Sequence, residues 1–461
     1  MLKKVFFILP IFAVIGYFSL LALSSTSMRP ATTEPPPDFT LVISGQELGY
    51  LEPCGCAEGQ LGGIARRDSF LQQLRAHGNT IVPIANGNLI QDALPQSEIK
   101  ADIGFFALAD MGYVAYNIGE RDLELGTAQL TALSERNRLP LISANLYQGT
   151  SPAFIPYLLH TVQLPDDAVE IAIVGLISPS YAVYAKNTDL RILEPTTILD
   201  TLIPELTENA DIIVCLFNGT SIEASKLRNN LPRLSIIVVS NDNTEGLPLS
   251  ASDHQFVNTG TKGKSIYSVK VHSDITGHPV VKDSQQHLLD EQIPDSQRMI
   301  DLLALYQQMI TDENSAASVP RTQQKTGPQF VGTATCKTCH ITEWTSWKAT
   351  KHAHAYHTLE VAGHETDPDC LTCHTVGFGF STGFLSVEET PNHLDVGCEN
   401  CHGAGSTHVK QQQNEVSKVT DIGYGKVTET TCLVCHTVEN SPKFDLNVYF
   451  PKIVHTLEKH R

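Results

Sequence analysis

Apolar and polar positions follow two different rhythms along the chain. From Thr40 to about Val271 the short apolar runs TLVISG, TIVPIANG, YVAYNIG, LPLISANL, VEIAIVGLIS, ADIIVCLFNG, LSIIVVS and SIYSVKV alternate with helix-like stretches. Apolar runs of this length, separated by helical segments, predict an α/β sandwich. Over residues 295–313, Met299, Leu302, Leu303, Tyr306, Met309 and Ile310 recur at helical spacing, and NSAASVPRTQQKTGP after them has linker composition. After Gln329 the periodicity is short and weak, which predicts a mainly α-helical, loop-rich second domain. The expected division is 1–37 for a leader and spacer, 38–290 for the α/β domain, 291–328 for a separating helix and linker, and 329–461 for the second domain.

The first residues form a pattern of their own. Lys3 and Lys4 precede nineteen apolar residues from Val5 to Leu23, the shape of an export signal. That run approaches the roughly 20 residues that span a bilayer, so an uncleaved inner-membrane anchor is expected. Cleavage after Ala22-Leu23-Ser24 is the alternative, and Pro10 interrupts a spanning helix. In both cases the lysines stay inside and the remainder is periplasmic or extracytoplasmic. MRPATTEPPPDF then reads as an extended Pro-rich spacer.

A formal charge of -18 argues against nucleic acid and anionic membrane surfaces as partners, which need a basic footprint. A basic redox protein or a small molecule fits better.

The second domain holds 12 of the 18 histidines and 8 of the 11 cysteines, which marks it as a cofactor domain. Four segments have the form CxxCH: Cys336, Cys339, His340; Cys370, Cys373, His374; Cys398, Cys401, His402; and Cys432, Cys435, His436. This is the c-type haem attachment pattern, with two thiols to bind the macrocycle and a histidine to ligate the iron. Zinc or disulfides could use CxxC pairs, but neither calls for the following histidine in all four. With 133 residues for four covalently attached haems, the haems must form most of the core. None of the five methionines lies in this domain, which argues against histidine/methionine ligation. Eight further histidines remain: His352, His354, His357, His364, His393, His408, His455 and His460. Bis-histidine irons favour electron transfer over catalysis.

The segments FVGTATCKTCHITEWTSWKATKHAHAYHTLE, DPDCLTCHTVGFGF, VGCENCHGAGSTHVK and CLVCHTVENSPKF resemble the tetrahaem cytochromes c typified by the electron acceptor of hydroxylamine oxidoreductase. The resemblance implies that His408 is the distal ligand of the first haem, His352 of the fourth and His455 of the third. His354 and His357 compete with His352. It also implies that the haem on His374 is five-coordinate, with an open face. Trp344 and Trp347, three apart, are expected to share a helix face toward the haems as packing residues. The Gly/Phe loop HTVGFGFSTGF could cover an open haem face or simply pack.

The order of runs over 40–271 resembles the metallophosphatase domain of periplasmic 5'-nucleotidases and sugar-nucleotide hydrolases. That family implies a two-metal site for phosphoryl transfer. Here the ligand positions fall on Gln46, Leu48, Asn88, Glu120, Arg121, Asn218, Asn241 and Asn243. Leucine and arginine cannot ligate a divalent cation and amides do so poorly, so no dimetal site and no phosphatase activity are expected.

Cys54-Gly55-Cys56 follows the first strand, beside LGGIARR, and a subset of exported proteins of this fold resembles the chain in that motif. The readings are a redox-active thiol pair, a structural disulfide, one involving Cys215 included, or capture of a soft metal. Cys215 itself reads as core. Arg66 and Arg67 could meet an anion at the cleft mouth, with a solvated helix face as the plainer expectation. The expected function is electron transfer by an exported multihaem cytochrome whose first domain binds a partner or small molecule. The alternatives are an oxidoreductase using a nitrogen oxide or hydroxylamine-type substrate at an open haem, and a thiol-redox protein using Cys54 and Cys56.

Overall fold

The computed structural model describes residues 38–53, 59–165, 167–184, 189–230, 236–240, 256–273, 279–413, 427–438 and 440–455. The leader and the Cys54-Gly55-Cys56 motif lie outside the described residues, and among those described no helix is long and apolar enough to cross a membrane.

The first half is built in four layers. In chain order it contains β1 (Phe39–Ser44), α1 (Ile64–Ala76), β2 (Ile81–Asn86), α2 (Pro95–Asp110), β3 (Ala115–Asn117), α3 (Thr127–Asn137), β4 (Leu141–Ile142), β5 (Leu146–Gln148), β6 (Ser151–Pro152), β7 (Tyr157–Gln163) and β8 (Ala168–Ile177). There follow β9 (Leu190–Ile192), α4 (Pro195–Asn209), β10 (Ile212–Asn218), α5 (Ser221–Asn230), β11 (Ile236–Ser240), β12 (Phe256–Asn258), β13 (Ser265–Ser273), β14 (Pro279–Leu288) and α6 (Gln297–Asp312). One sheet has the order β14-β13-β1-β2-β3-β4, a second β12-β11-β10-β8-β7, and a small third sheet β6-β5-β9. Strands β1 to β4 run parallel, as do β8, β10, β11 and β12, while β7, β13 and β14 add antiparallel edges.

Both faces of the central strands are buried, which is why they read as continuous apolar runs rather than alternating ones. In β1, Phe39, Leu41 and Ile43 enter the core between the two large sheets, where they meet Ile171, Ile173, Val214 and Leu216. Val42 points the other way, into the layer of α1, α2, α3 and α6. In β10 the even positions Ile212, Val214 and Leu216 share the inter-sheet core, while Ile213, Cys215 and Phe217 pack under α4 and α5. Each such fully buried aliphatic side chain contributes about 1.5–3 kcal/mol. Cys215 is a free thiol at 0% exposure, and burial pushes it up to about 12, so it is an inert core residue.

Two expectations need correction. The helix over 295–313 is not a free separator: α6 buries Met299, Leu303, Tyr306 and Ile310 in the same core as α1 and α2, because its apolar stripe needs a partner layer. Nor do Arg66 and Arg67 lie on a solvated face. Arg67 is 1% exposed and pairs with Glu47 at 2.6 Å, and Arg66 donates to the carbonyls of Gln60 and Leu289. The turn at Gly63 (φ 90) causes this, since a Cβ there would stand 2.8 Å from the Pro53 ring, so the start of α1 lies directly beneath the β1 loop.

The second half consists of short helices joined by loops, among them Thr333–Lys337, Ile341–Lys348, Ala355–Ala362, Pro368–His374, Cys398–His402 and Ser406–Gln413. Its compact apolar cluster is small: Tyr356, Leu359, Leu371, Phe378 and Phe384. Phe378 and Phe384 of the Gly/Phe loop are therefore packed residues, while Phe380 meets Phe330 with the rings tilted and their centres 5.3 Å apart.

Candidate cofactor centre

Each CxxCH segment sits on or beside a single helical turn, which brings residues three and four apart onto one face. The helix Pro368–His374 contains the whole second motif, and Cys398–His402 is the third. Asp367 caps the former by accepting from the Asp369 N–H at 2.9 Å, and Asn400 accepts from the Gly397 N–H at 2.8 Å in the latter. Cys336 lies within hydrogen-bonding reach of Cys398, and Cys373 of Cys435, so the first motif meets the third and the second meets the fourth. None of the eight motif cysteines, Cys339, Cys370, Cys401 and Cys432 among them, is in a disulfide.

The motif histidines fall into two kinds. His340 faces His408 with ring centres 5.9 Å apart, His436 faces His352 at 6.1 Å, and His402 faces His455 at 5.9 Å. Two imidazoles on opposite sides of one metal, with metal–nitrogen bonds of about 2 Å, have ring centres about 6 Å apart. His374 differs. Its Nδ1 lies 2.7 Å from the Ala355 carbonyl, an arrangement that fixes the ring and leaves Nε2 as the ligand atom. Among the described residues no histidine ring is stacked opposite it.

The remaining histidines separate by environment. His357 is exposed and pairs with Glu360 at 2.9 Å, His354 is exposed, and His364 meets Glu52 at 3.7 Å. His393 is buried with neither ring nitrogen hydrogen-bonded. His460 lies outside the described residues. Burial lowers the pKa of His352, His402, His408 and His436, with the facing histidine adding to it for the first three, which favours the neutral imidazole that a metal requires.

Backbone anchoring holds these rings in place. The His352 carbonyl accepts from the Val396 N–H at 3.1 Å, and Trp347 Nε1 donates to the Val396 carbonyl at 2.8 Å. Glu399, inside the third motif, is buried and accepts from the N–H groups of Val331, Gly332 and Gly405. It thereby ties together the segment before the first motif and the loop that leads to His408. No sequence signal singled it out, because an acidic residue between two motif cysteines reads as solvated.

The donor set fits c-type haem. A cavity of about 290 Å³ runs between the first and third motifs, lined by Cys336, His340, Trp347, Cys401, His402 and His455 among others. Trp344 also lines it, 6.3 Å from Trp347 between ring centres. His364, Asp367 and Cys370 bring three ligand atoms within 4.8 Å of one another, but Cys370 belongs to the second motif and Asp367 caps its helix.

In the first half the strand ends converge on a polar cleft. Gln46, Leu48 and Asn88 adopt φ of 59°, 51° and 60°, left-handed geometry that costs a residue with a Cβ energy and that clusters at functional sites. Asn88 Nδ2 donates to Gln46 Oε1 at 3.2 Å, and Asn88 Oδ1 accepts from the Arg121 N–H at 2.9 Å. A Cβ at Gly119 would lie 2.1 Å from Asn88 Oδ1 and 2.5 Å from Asn218 Nδ2, so only glycine fits. Glu120 is buried, which raises its carboxyl, and the Arg121 guanidinium lies 4.6 Å over the Tyr184 ring. Asp122 beneath the cleft accepts from the N–H groups of Asn88, Leu89 and Gly119 and from the Tyr116 hydroxyl. Asn241 and Asn243 lie outside the described residues.

Comparison with known proteins divides the chain in the same way. A family model described as cytochrome c554 and c-prime matches residues 335–403, which include the first three motifs. Cytochrome c-554 of Nitrosomonas europaea is 34% identical over 91 residues, covering 16% of this chain and 39% of that protein. Protein UshA of Yersinia enterocolitica is 27% identical over 173 residues, covering 36% of this chain and 30% of that protein. The chain thus spans well under half the length of these two relatives. Among solved structures, a 5'-nucleotidase precursor from Thermus thermophilus matches with a TM-score of 0.51 and 18% identity, over 70% of this chain and 68% of the other. The NAD nucleotidase of Haemophilus influenzae matches with a TM-score of 0.50 and 16% identity, over 64% of each chain. At such identities the structural likeness is one of fold. The first half has the α/β metallophosphatase-like fold, and the second resembles cytochrome c554.

Proposed function

We propose that this chain is an exported tetrahaem c-type cytochrome that carries electrons in extracytoplasmic respiration. The observation that carries this reading is the set of three facing histidine pairs at 5.9–6.1 Å, each joining a CxxCH histidine to one outside the motifs. Cys336 and Cys339, Cys370 and Cys373, Cys398 and Cys401, and Cys432 and Cys435 would each hold one haem, with His340, His374, His402 and His436 as proximal ligands. When bound, such haems supply one-electron redox centres whose potentials follow axial ligation and burial. His408, His352 and His455 would be the second ligands of three of these haems and would leave no position for substrate there. The apolar leader after Lys3 and Lys4 supports export, with anchoring or cleavage both compatible.

In the first half, the loss of carboxylate and imidazole at Gln46, Leu48, Asn88 and Arg121 supports a cleft retained for binding, without dimetal hydrolysis. Its occupant would be a partner protein or a small molecule, and the acidic chain favours a basic redox protein as docking partner.

One observation favours a second reading, an oxidoreductase. His374 has no facing histidine among the described residues, so its iron would keep a position for a nitrogen oxide or hydroxylamine-type ligand. A thiol-redox role for Cys54 and Cys56 draws support from Glu52, two residues before Cys54, which meets His364 close to the second motif.

Electron paramagnetic resonance of the oxidised protein, quantified against haem content by mass, tests the proposal. Four covalent haems, all low-spin and unreactive to nitric oxide when reduced, support a carrier. One high-spin, ligand-binding haem supports the oxidoreductase, and a chain without covalent haem overturns both.

A further inference from the structure

The two halves touch at the start of the helix that carries the second motif. From α2, Gln96 and Lys100 project one turn apart toward it. Gln96 Nε2 donates to Asp367 Oδ1 at 2.7 Å and to the Tyr306 hydroxyl at 2.8 Å. Lys100 Nζ reaches Asp369 Oδ2 at 2.5 Å. Thr311 meets Thr366 at 2.7 Å, and Glu52 meets His364 at 3.7 Å. These contacts all fall on residues 364–369, immediately before Cys370.

The Lys100 side chain is 11% exposed, whereas that of Asp369 is 65% exposed. Burial alone would favour the neutral amine, but Asp369 and Asp367 outweigh it and raise the pKa, so Lys100 is a charged ammonium. A positive charge in a region of low dielectric acts strongly on its surroundings. Water screens the exposed Asp369 carboxylate, whereas the buried Asp367 carboxyl opposes Lys100 from within the second half, so the contribution of Lys100 is read as the difference its removal makes. An oxidised haem carries one more positive charge than a reduced one, so a nearby buried cation favours reduction.

We propose that Lys100 and Gln96 are positioning residues for the haem held by Cys370, Cys373 and His374, and that Lys100 raises the reduction potential of that one centre. The first half thereby sets the second haem apart from the other three. Gln96 fixes the Asp367 cap and hence the entry of the helix, and Lys100 supplies the charge. The inference rests on the tetrahaem reading of the second half.

The test is a potentiometric titration of the full-length, haem-loaded protein followed optically, with haem number checked by mass. Lys100→Met is expected to shift one of the four midpoint potentials downward and leave three in place. Asp369→Asn is expected to shift the same midpoint upward, Lys100→Met/Asp369→Asn to fall between them, and Lys100→Arg to stay near the parent. Lys226→Met, on an exposed position of α5, serves as a control with no expected shift. Four unmoved midpoints in fully loaded Lys100→Met, or four that move together, overturn the proposal. Should Lys100→Met fail to load haem, an unmoved midpoint in fully loaded Lys100→Gln, which keeps a polar head without the charge, overturns it. Absence of covalent haem from the parent protein would instead sink the tetrahaem reading itself.

Discussion

The Arg67 guanidinium and the Glu47 carboxylate lie 2.6 Å apart with neither side chain more than 1% exposed. Glu47 sits on the loop after β1 and Arg67 in the first turn of α1, so the pair ties the end of β1 to the start of that helix. Arg67→Met would leave a carboxylate buried without its partner, at a cost of about 3–5 kcal/mol. The double variant Arg67→Met/Glu47→Leu is expected to recover most of that loss. Denaturant unfolding followed by far-ultraviolet circular dichroism checks both values, and equal stability of the parent and Arg67→Met would show that the pair adds nothing.

The facing histidine pairs make a separate prediction for each ring. His408→Ala, His352→Ala and His455→Ala should each convert one low-spin haem to high-spin, a quarter of the total signal in electron paramagnetic resonance. His357→Ala, which removes an exposed side chain paired with Glu360, should change nothing. A spin change in the last variant, with none in His352→Ala, would transfer the distal role to His357.

Asp122 gives the fold a pH dependence whose sign follows from its burial. Desolvation pushes its carboxyl from 3.8 up to about 6, even though hydrogen bonds from Gly119, Tyr116 and Asn88 pull it down. The folded state therefore holds a proton that the unfolded state has released between those two values. The contribution is complete below about pH 3.8 and is lost as the pH rises to about 6, amounting to about 3 kcal/mol. Asp122→Asn should flatten the slope of stability against pH in that window while costing about 1–3 kcal/mol at pH 7 through its lost acceptors. Denaturation midpoints measured from pH 4 to 7 provide the check, and an unchanged slope would assign the dependence to other groups.

Much of this architecture was legible from local pattern. The β-strand runs were readable because both faces of β1, β8, β10 and β11 are buried, which leaves an uninterrupted apolar signature. The shorter or edge strands β7, β12 and β14 were not, since half-exposed strands such as Tyr157–Gln163 carry mixed residues. The CxxCH motifs were legible because their spacing is itself the chemistry. The distal histidines required a family resemblance, since His408 and His455 lie 68 and 53 residues from the motif histidines they face, and spacing carries no information over such distances. Glu399 and Lys100 were invisible, and the burial of Arg67 was missed, for a shared reason. A charged residue in sequence reads as solvated, and only the fold reveals a buried partner.

The polar cleft of the first half yields the last prediction. A two-metal hydrolase needs anionic or imidazole ligands from several loops, held to clamp the oxygens of a phosphoryl transfer. The loops are present, with the left-handed backbone of Gln46, Leu48 and Asn88 holding them in place. The side chains cannot do that work: Leu48 offers no donor atom, Arg121 repels a cation, and the Asn88 amide is already committed to Gln46 and the Arg121 N–H. Titration with manganese or zinc should therefore show no stoichiometric pair of ions in the first half, and nucleotide or p-nitrophenyl phosphate hydrolysis should stay at the uncatalysed rate. Two ions per chain with metal-dependent turnover would instead mean that Glu120, with Asn218 and the segments outside the described residues, supplies a ligand set of a different kind, and the first half would be an enzyme.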